Sequence, residues 1–115
     1  MDVKSKVMNA LSSLEGIDVC FLERSDDGTF PFIVYNVDEV PLYYSDDEEE
    51  MTLYLITINI FSKPDYNFEN LKTKIVKLMK ENGFKKTKIP AAEFMEQENV
   101  YNQPMGFSIF EDLTN

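Results

Sequence analysis

The strongest constraint on the fold is the segment of residues 51–62, in which apolar side chains recur at every second position. Side chains alternate between the two faces of a strand, so one face would carry Tyr54, Ile56, Ile58 and Ile60. The opposite face would carry Leu53, Leu55, Thr57, Asn59 and Phe61. The first set predicts a long strand with one face buried against a helix. The second set has apolar residues at both ends, which is more than a strand facing water requires.

Two other segments have the spacing of amphipathic helices. In residues 2–14 the apolar stripe is formed by Val3, Val7, Leu11 and Leu14. The second segment follows the capping residue Asn67 and stops at Asn82 and Gly83. Its apolar stripe is formed by Phe68, Leu71, Ile75, Leu78 and Met79. Because each stripe must be buried against another element, both helices are expected on one face of a sheet.

Shorter runs of β-branched and aromatic residues predict further strands at residues 19–22, at 30–37, at 84–89 and within 100–113. The resulting order is helix, strand, strand, long strand, helix, strand, strand. It predicts the α+β class, with a mainly antiparallel sheet of about four to five strands and two helices packed on one face. The length of 115 residues predicts a single domain, residues 1–115.

Residues 38–50 contain seven carboxylates and no basic side chain. Five of these acids are consecutive, and because like charges repel, the segment is predicted to be a flexible acidic loop between two strands. Such a loop would be either solvated or ordered only against a partner. The adjacent Tyr43 and Tyr44 would either anchor the loop locally or act as contact residues.

The net charge of −10 is distributed in three blocks. The net charge is −10 over residues 1–62, +5 over residues 63–92 and −5 over residues 93–115. Oppositely charged blocks can attract copies of the chain and set their register, whereas the plainer interpretation is solubility. The excess of acid disfavours nonspecific binding to DNA and to anionic membranes. No apolar run approaches the ~20 residues that cross a bilayer.

The residue types that catalysis most often needs are scarce in this chain. It has no histidine, its lone Cys20 lies within an apolar run, and its four glycines form no phosphate-binding loop. The acidic run could attract Ca²⁺ but lacks the ligand spacing of an EF-hand. We therefore predict that the chain is not an enzyme and has no cofactor and no metal site.

The second face of the long strand is the candidate contact surface. Burial of each of its apolar side chains is worth about 1.5–3 kcal/mol, so Leu53, Leu55 and Phe61 are expected to be covered. Two alternatives could bury these side chains. One is the chain's own residues 94–95 or 100–101, and the other is a neighbouring subunit.

The layout resembles a known family, the small tail-completion or head–tail joining proteins of long-tailed phages and prophages. The resemblance covers nearly the whole chain, from Val3 to Phe110. Besides the opening helix and the strand at residues 18–22, it rests on the order and spacing of the segments FPFIVY (30–35), YSDD (44–47), INIFSK (58–63), MKENGF (79–84), YN (101–102) and MGFSI (105–109).

The resemblance implies a fold of the tail-terminator type and a structural role without enzymatic activity or cofactor. Copies of such a protein form a hexameric ring that caps the finished tail tube and joins it to the head connector. Its partners would be itself, the tail-tube protein and the connector, and its location the virion, after assembly in the host bacterial cytoplasm. In a ring, Leu53, Leu55 and Phe61 would make subunit contacts.

The acidic loop would face the lumen or an adjoining ring in that assembly. Its proposed residues are Tyr43, Tyr44, Asp46, Asp47, Glu48, Glu49 and Glu50. DNA would pass an acidic lumen without specific binding, because like charge suppresses adsorption.

Two other classes of function compete with this one. An acidic module that mimics DNA and inhibits a basic host enzyme needs carboxylates spaced along a surface like phosphates, and five acids in one loop do not give that spacing. A small enzyme is the third hypothesis, and the missing histidine and glycine loops count against it.

Overall fold

The computed structural model of the chain describes residues 1–23, 30–43 and 49–112. Within these ranges the chain folds into two helices and six strands, an α+β architecture as predicted. The elements in chain order are α1 (Val3–Ala10), β1 (Asp18–Phe21), β2 (Phe32–Tyr43), β3 (Glu49–Ser62), α2 (Phe68–Glu81), β4 (Lys85–Lys86), β5 (Glu93–Met95) and β6 (Val100–Asp112).

The sheet is larger and less uniform than predicted. Its strands run in the order β1-β2-β3-β6-β4, and β5 also pairs with β6. Six strands therefore replace the expected four to five. The additional strand is β5, which is three residues long and carries no periodic signal, and the strand predicted at residues 84–89 is shortened to the two residues of β4. The sheet is mixed, since β1 runs parallel to β2 while the other pairs are antiparallel. A four-residue apolar run indicates a strand but not its direction.

Strands β2 and β3 form a long hairpin, which corrects the predicted loop at residues 38–50. Asp38 to Tyr43 belong to β2, and Glu49 and Glu50 begin β3. Repulsion between Asp38 and Glu39 is small, because consecutive side chains of a strand point to opposite faces. Cross-strand pairs of Val40 with Leu53 and of Leu42 with Met51 stabilise this part of the hairpin. The rest of the predicted loop, residues 44–48, lies outside the described residues.

The hairpin makes the molecule elongated. Its longest dimension is 53 Å, and the Cα radius of gyration is 15.7 Å. A compact domain of roughly 100 residues has a radius of gyration of about 13 Å. At ~3.3 Å per residue, a strand as long as β3 accounts for most of the longest dimension.

The hydrophobic core lies between the two helices and one face of the sheet. Helix α1 contributes Val3, Val7 and Ala10, and α2 contributes Leu71, Ile75 and Met79. The sheet face beneath them carries Ile33, Tyr35, Ile56, Ile58, Ile60, Met105 and Phe107. We call this the covered face. The prediction that Tyr54, Ile56, Ile58 and Ile60 form a buried set is confirmed.

Both helices begin at a capping side chain. The Asp2 carboxylate accepts a hydrogen bond from the Ser5 backbone N–H, and the Asn67 side chain accepts one from the Glu69 backbone N–H. Helix α1 ends at Ala10, earlier than the predicted residue 14, and continues as turns through residue 13. Helix α2 ends at Glu81, followed by Gly83 with a φ of +90°, a conformation that favours glycine.

Candidate interaction surface

The sheet face opposite the helices is the candidate functional surface, and we call it the open face. It is formed by the even-numbered residues of β2, the odd-numbered residues of β3 from Leu53 to Phe61, and the even-numbered residues of β6 from Asn102 to Phe110. Both helices pack on the covered face. Among residues 1–23, 30–43 and 49–112, no second layer of secondary structure covers the open face.

At the hairpin end of the open face, apolar side chains from three strands lie side by side. Val40, Leu53 and Phe110 are register partners across β2, β3 and β6. Leu42 and Leu55 lie one step along the strands from this row. We call these five residues the apolar patch. Phe110 is 50% exposed and Leu55 36% exposed, while the other three are half-buried.

The opposite end of the open face is aromatic and internally packed. The rings of Phe32 and Phe61 stack at 5.0 Å between centroids, and Phe30 lies 5.1 Å from Phe32. The Lys63 ammonium lies 4.8 Å from the centre of the Phe30 ring. The Phe61 ring is therefore already covered in part by the chain's own aromatic side chains.

The three predicted contact residues do not form one surface. Leu53 and Leu55 belong to the apolar patch, whereas Phe61 lies six residues further along β3, at about 20 Å. Polar side chains separate the two ends, among them Asn36, Thr57 and Ser108. The structure thus brings together two of the three residues and separates the third.

Sequence reasoning missed three members of the apolar patch. Val40 and Leu42 fell inside the predicted loop, although their alternation with polar neighbours is a strand signal. Phe110 was not singled out because its neighbours Phe107 and Ile109 carry the stronger alternating pattern. Its register partner Leu53 becomes evident only when β3 and β6 are paired.

The chain's own segments that could have covered Leu53 and Leu55 lie elsewhere. Phe94 contacts Tyr101 at 4.9 Å, and Tyr101 contacts Phe68 of α2 at 6.0 Å, so both belong to the helix side. Val100 pairs with Met95 beyond the Ser62 end of β3. That end is about 30 Å from Leu53 along the strand. Within the described residues, neither predicted segment covers the apolar patch.

The outer edge of β2 is a weaker candidate for contact than the open face. Among the described strands, β1 pairs with β2 only as far as Tyr35, whose carbonyl accepts a hydrogen bond from the Leu22 N–H at 2.8 Å. By alternation, odd-numbered residues of β2 direct their backbone groups to this edge. Pro41 has no N–H to offer there, and Glu39 adds a charge. Both features protect an edge against pairing with another strand.

Carboxylates are concentrated at the hairpin end of the sheet. Asp38 and Glu39 lie on β2, and Glu111 and Asp112 end β6. Tyr43, the last residue of β2, is 55% exposed. Glu49 and Glu50 start β3, whereas Tyr44, Asp46, Asp47 and Glu48 lie outside the described residues.

One of these carboxylates is tied to the chain's amino terminus. The Met1 ammonium lies 2.7 Å from Glu111 Oε2, and the Tyr54 hydroxyl donates to Glu111 Oε1 at 3.0 Å. These two hydrogen bonds lower the pKa of the Glu111 carboxyl below its ordinary value. The same ion pair raises the pKa of the Met1 ammonium. The end of β6 is thereby joined to the start of α1.

Among the described residues, no three His, Cys, Asp or Glu side chains converge as a metal site. None of the described helices is long and apolar enough to cross a bilayer. Cys20 is a half-buried free thiol in β1. The surface property that stands out is apolar area beside acidic charge.

Comparison with known proteins adds no relative to this description. No protein-family model matches the chain, and no curated protein is significantly similar to it in sequence. The function is therefore argued from the molecule's own surface.

Proposed function

We propose that the chain is a structural protein of a long-tailed phage or prophage that completes the tail tube and joins it to the head connector, working as a hexameric ring. The observation that carries the proposal is the apolar patch on the open face. The free energy falls when a second subunit covers its exposed side chains. The resemblance of the sequence to tail-completion proteins supplies the identity of the assembly.

The energetics of the patch favour a subunit contact. Full burial of a Leu or Phe side chain is worth about 1.5–3 kcal/mol. Leu55 and Phe110 keep a third to a half of their surface exposed. Leu55 lies two residues from Leu53, which is the register partner of Phe110, so the two exposed side chains are close together. Contiguous exposed apolar area bordered by charge is typical of protein–protein contact surfaces.

The acidic charge at the hairpin end supports a role in a ring through which DNA passes. Asp38 lies beside the patch on the open face, Asp112 follows it near the end of β6, and Asp46 to Glu50 follow β2 in the sequence. In a ring, such a surface directed to the lumen would repel DNA and let it pass without adsorption. The proposed partners are further copies of the chain, the tail tube and the connector, in the virion.

The competing proposal, a DNA mimic that inhibits a basic enzyme, has weaker support. Asp38 and Glu39 point to opposite faces of β2 and do not continue one row of charges. Glu111 is held by the Met1 ammonium and the Tyr54 hydroxyl. These carboxylates of β2 and β6 therefore do not form an extended row like the phosphates of DNA.

The direct test is deletion of this reading frame from the phage or prophage that carries it, followed by electron microscopy of the particles. We expect heads and tails that fail to join, and restoration by the wild-type chain. A Leu55→Asp chain should not restore joining, whereas a Thr57→Ser chain, altered on the same strand face, should. Normal particles after the deletion would refute the proposed function.

A further inference from the structure

A groove with a basic rim runs between α2 and β4. Strand β4 forms the edge of the sheet that is furthest from β1 and β2. The volume of the groove is about 470 Å³. The half-buried Val76 and Ile89 form its apolar floor and pack against the core. Lys72, Lys77, Lys80 and Lys86 form its rim. We call this the basic groove.

The rim of the basic groove carries uncompensated positive charge. Lys72 is paired with Glu69 at 3.0 Å. No carboxylate among the described residues lies within ion-pair distance of Lys77, Lys80 or Lys86, all three of which are exposed. In a chain whose net charge is −10, three lysines of the rim thus form a local surplus of positive charge that no described carboxylate pairs with.

We propose that the basic groove receives the acidic hairpin end of a second copy of the chain, namely Glu39 and the exposed Tyr43 of β2. The carboxylate matches the lysine rim, and the tyrosine ring matches the apolar floor. Charge complementarity of this kind steers association and fixes its register. The inference rests on the ring assembly proposed above and names the contact from which the ring is built.

One chain cannot make this contact with itself. Strands β2 and β4 are separated by β3 and β6 in the sheet order. The distance between β2 and β4 across three strand spacings is about 14 Å, so the two strands cannot meet within one sheet. The acidic end of one copy must therefore meet the groove of another.

The geometry of the contact suits a closed assembly. Each copy would offer two different surfaces, the hairpin end and the basic groove, and such heterologous contacts generate rings when the rotation closes. Four of the five residues of the apolar patch lie on the same hairpin as Glu39 and Tyr43. Docking of the hairpin against the neighbour's α2 would bring the patch beside that subunit, so that one contact covers both features.

Sedimentation velocity of the full-length chain at low salt tests the inference. We expect concentration-dependent self-association that weakens with added salt. Lys77→Glu should raise the dissociation constant about tenfold, because it places a carboxylate where the neighbour's acids dock. The matched control is Lys74→Glu, since Lys74 is an exposed lysine of α2 outside the groove. It should change the constant less than about twofold.

A mixing experiment distinguishes groove docking from a general effect of charge. Lys77→Glu chains and Glu39→Lys chains should each associate weakly alone, and a mixture should associate more strongly, because the reversed groove fits the reversed hairpin. Equal effects of Lys77→Glu and Lys74→Glu, no gain on mixing, or a wild-type chain that stays monomeric at about 1 mM would overturn the inference.

The two proposals can fail separately. If deletion of the reading frame prevents joining but self-association does not depend on Lys77, the groove inference is wrong and the proposed function stands. If association depends on Lys77 but particles form normally without the chain, the groove contact stands and the tail-completion role is wrong.

Discussion

The two faces of strand β3 carry similar residue types in very different environments. On the covered face, Ile56, Ile58 and Ile60 are at most 1% exposed, because α1 and α2 pack over this side of the sheet. On the open face, no described helix packs over Leu53 and Leu55, and Leu55 remains 36% exposed. One strand therefore contributes both to the core and to an uncovered apolar surface.

The difference shows that apolar sequence alone does not decide what becomes core. A sheet has two faces, and the described chain supplies helices for one of them. Apolar side chains that give stability on the covered face remain partly exposed on the open face. The following substitutions test this assignment of roles, from the largest expected effect to the smallest.

The largest effect is expected from Ile58→Asp, on the covered face. Ile58 is fully buried, and an unpaired charge there costs several kcal/mol, against a total stability of about 5–15 kcal/mol. We expect loss of the cooperative urea transition, followed by circular dichroism. The matched control is its neighbour Thr57→Asp, which points to the open face and should still unfold cooperatively. Equal loss of structure in both variants would contradict the assignment of position 58 to the core and of position 57 to the open face.

Leu55→Asp is expected to separate stability from assembly. Leu55 contacts solvent, so the change in unfolding free energy should stay within about 1 kcal/mol. Self-association, measured as molar mass by light scattering, should be lost because a charge replaces an apolar contact. Asn59→Asp, which adds the same charge on the polar middle of the face, should leave association nearly intact. A Leu55→Asp chain that unfolds as readily as Ile58→Asp would show that this residue belongs to the core.

Replacement of the acids at positions 46–50 by Ser and Asn should affect assembly and not stability. The charges there are expected to act between subunits, so the Tm should stay near the wild-type value while assembly is impaired. Differential scanning calorimetry and particle complementation measure the two effects. A Tm many degrees lower would show that the segment has a structural role.

The smallest effect concerns the helix layer that covers the buried face. Hydrogen bonds from the Ser5 hydroxyl and then the Ser5 N–H lower the pKa of Asp2, the cap of α1. A carboxyl whose pKa is lowered by folding stabilises the protein above its ordinary pKa, and this contribution is lost as the pH falls through the lowered value. Asp2→Ala should therefore lower the Tm modestly near neutral pH, and the difference from wild type should vanish in strong acid. A difference in Tm that persists in strong acid would show that the charge of Asp2 does not carry the effect.

Much of the fold could be predicted from periodicity. The two helices and the buried set of β3 follow from spacings of about 3.6 and 2 residues, because these periods report which side chains share a face. A strand was predicted at residues 84–89, and only its short part Lys85–Lys86 forms β4. Strand β5 could not be predicted, since it is held by pairing with β6 and has no pattern of its own. The parallel direction of β1 likewise depends on tertiary contacts.

The candidate surface was predictable only in part. Leu53 and Leu55 could be assigned to the second face of β3 by alternation alone. The separation of Phe61 from them follows from its position six residues further along the strand, whereas its stacking with Phe32 is a cross-strand contact that requires the β2–β3 register. Val40 and Leu42 were not predicted to lie in a strand, because charge repulsion in residues 38–50 indicated a loop. Pairing with β3 extends β2 to Tyr43.

The central claim is that a second subunit covers the apolar patch, and methyl NMR as a function of protein concentration tests it most directly. We predict that the methyl resonances of Leu53 and Leu55 shift or broaden as the concentration rises, while those of Ile58 and Ile60 stay unchanged. Open-face methyl resonances that remain constant up to about 1 mM, in a chain that keeps its monomer mass of 13.4 kDa, would contradict the account.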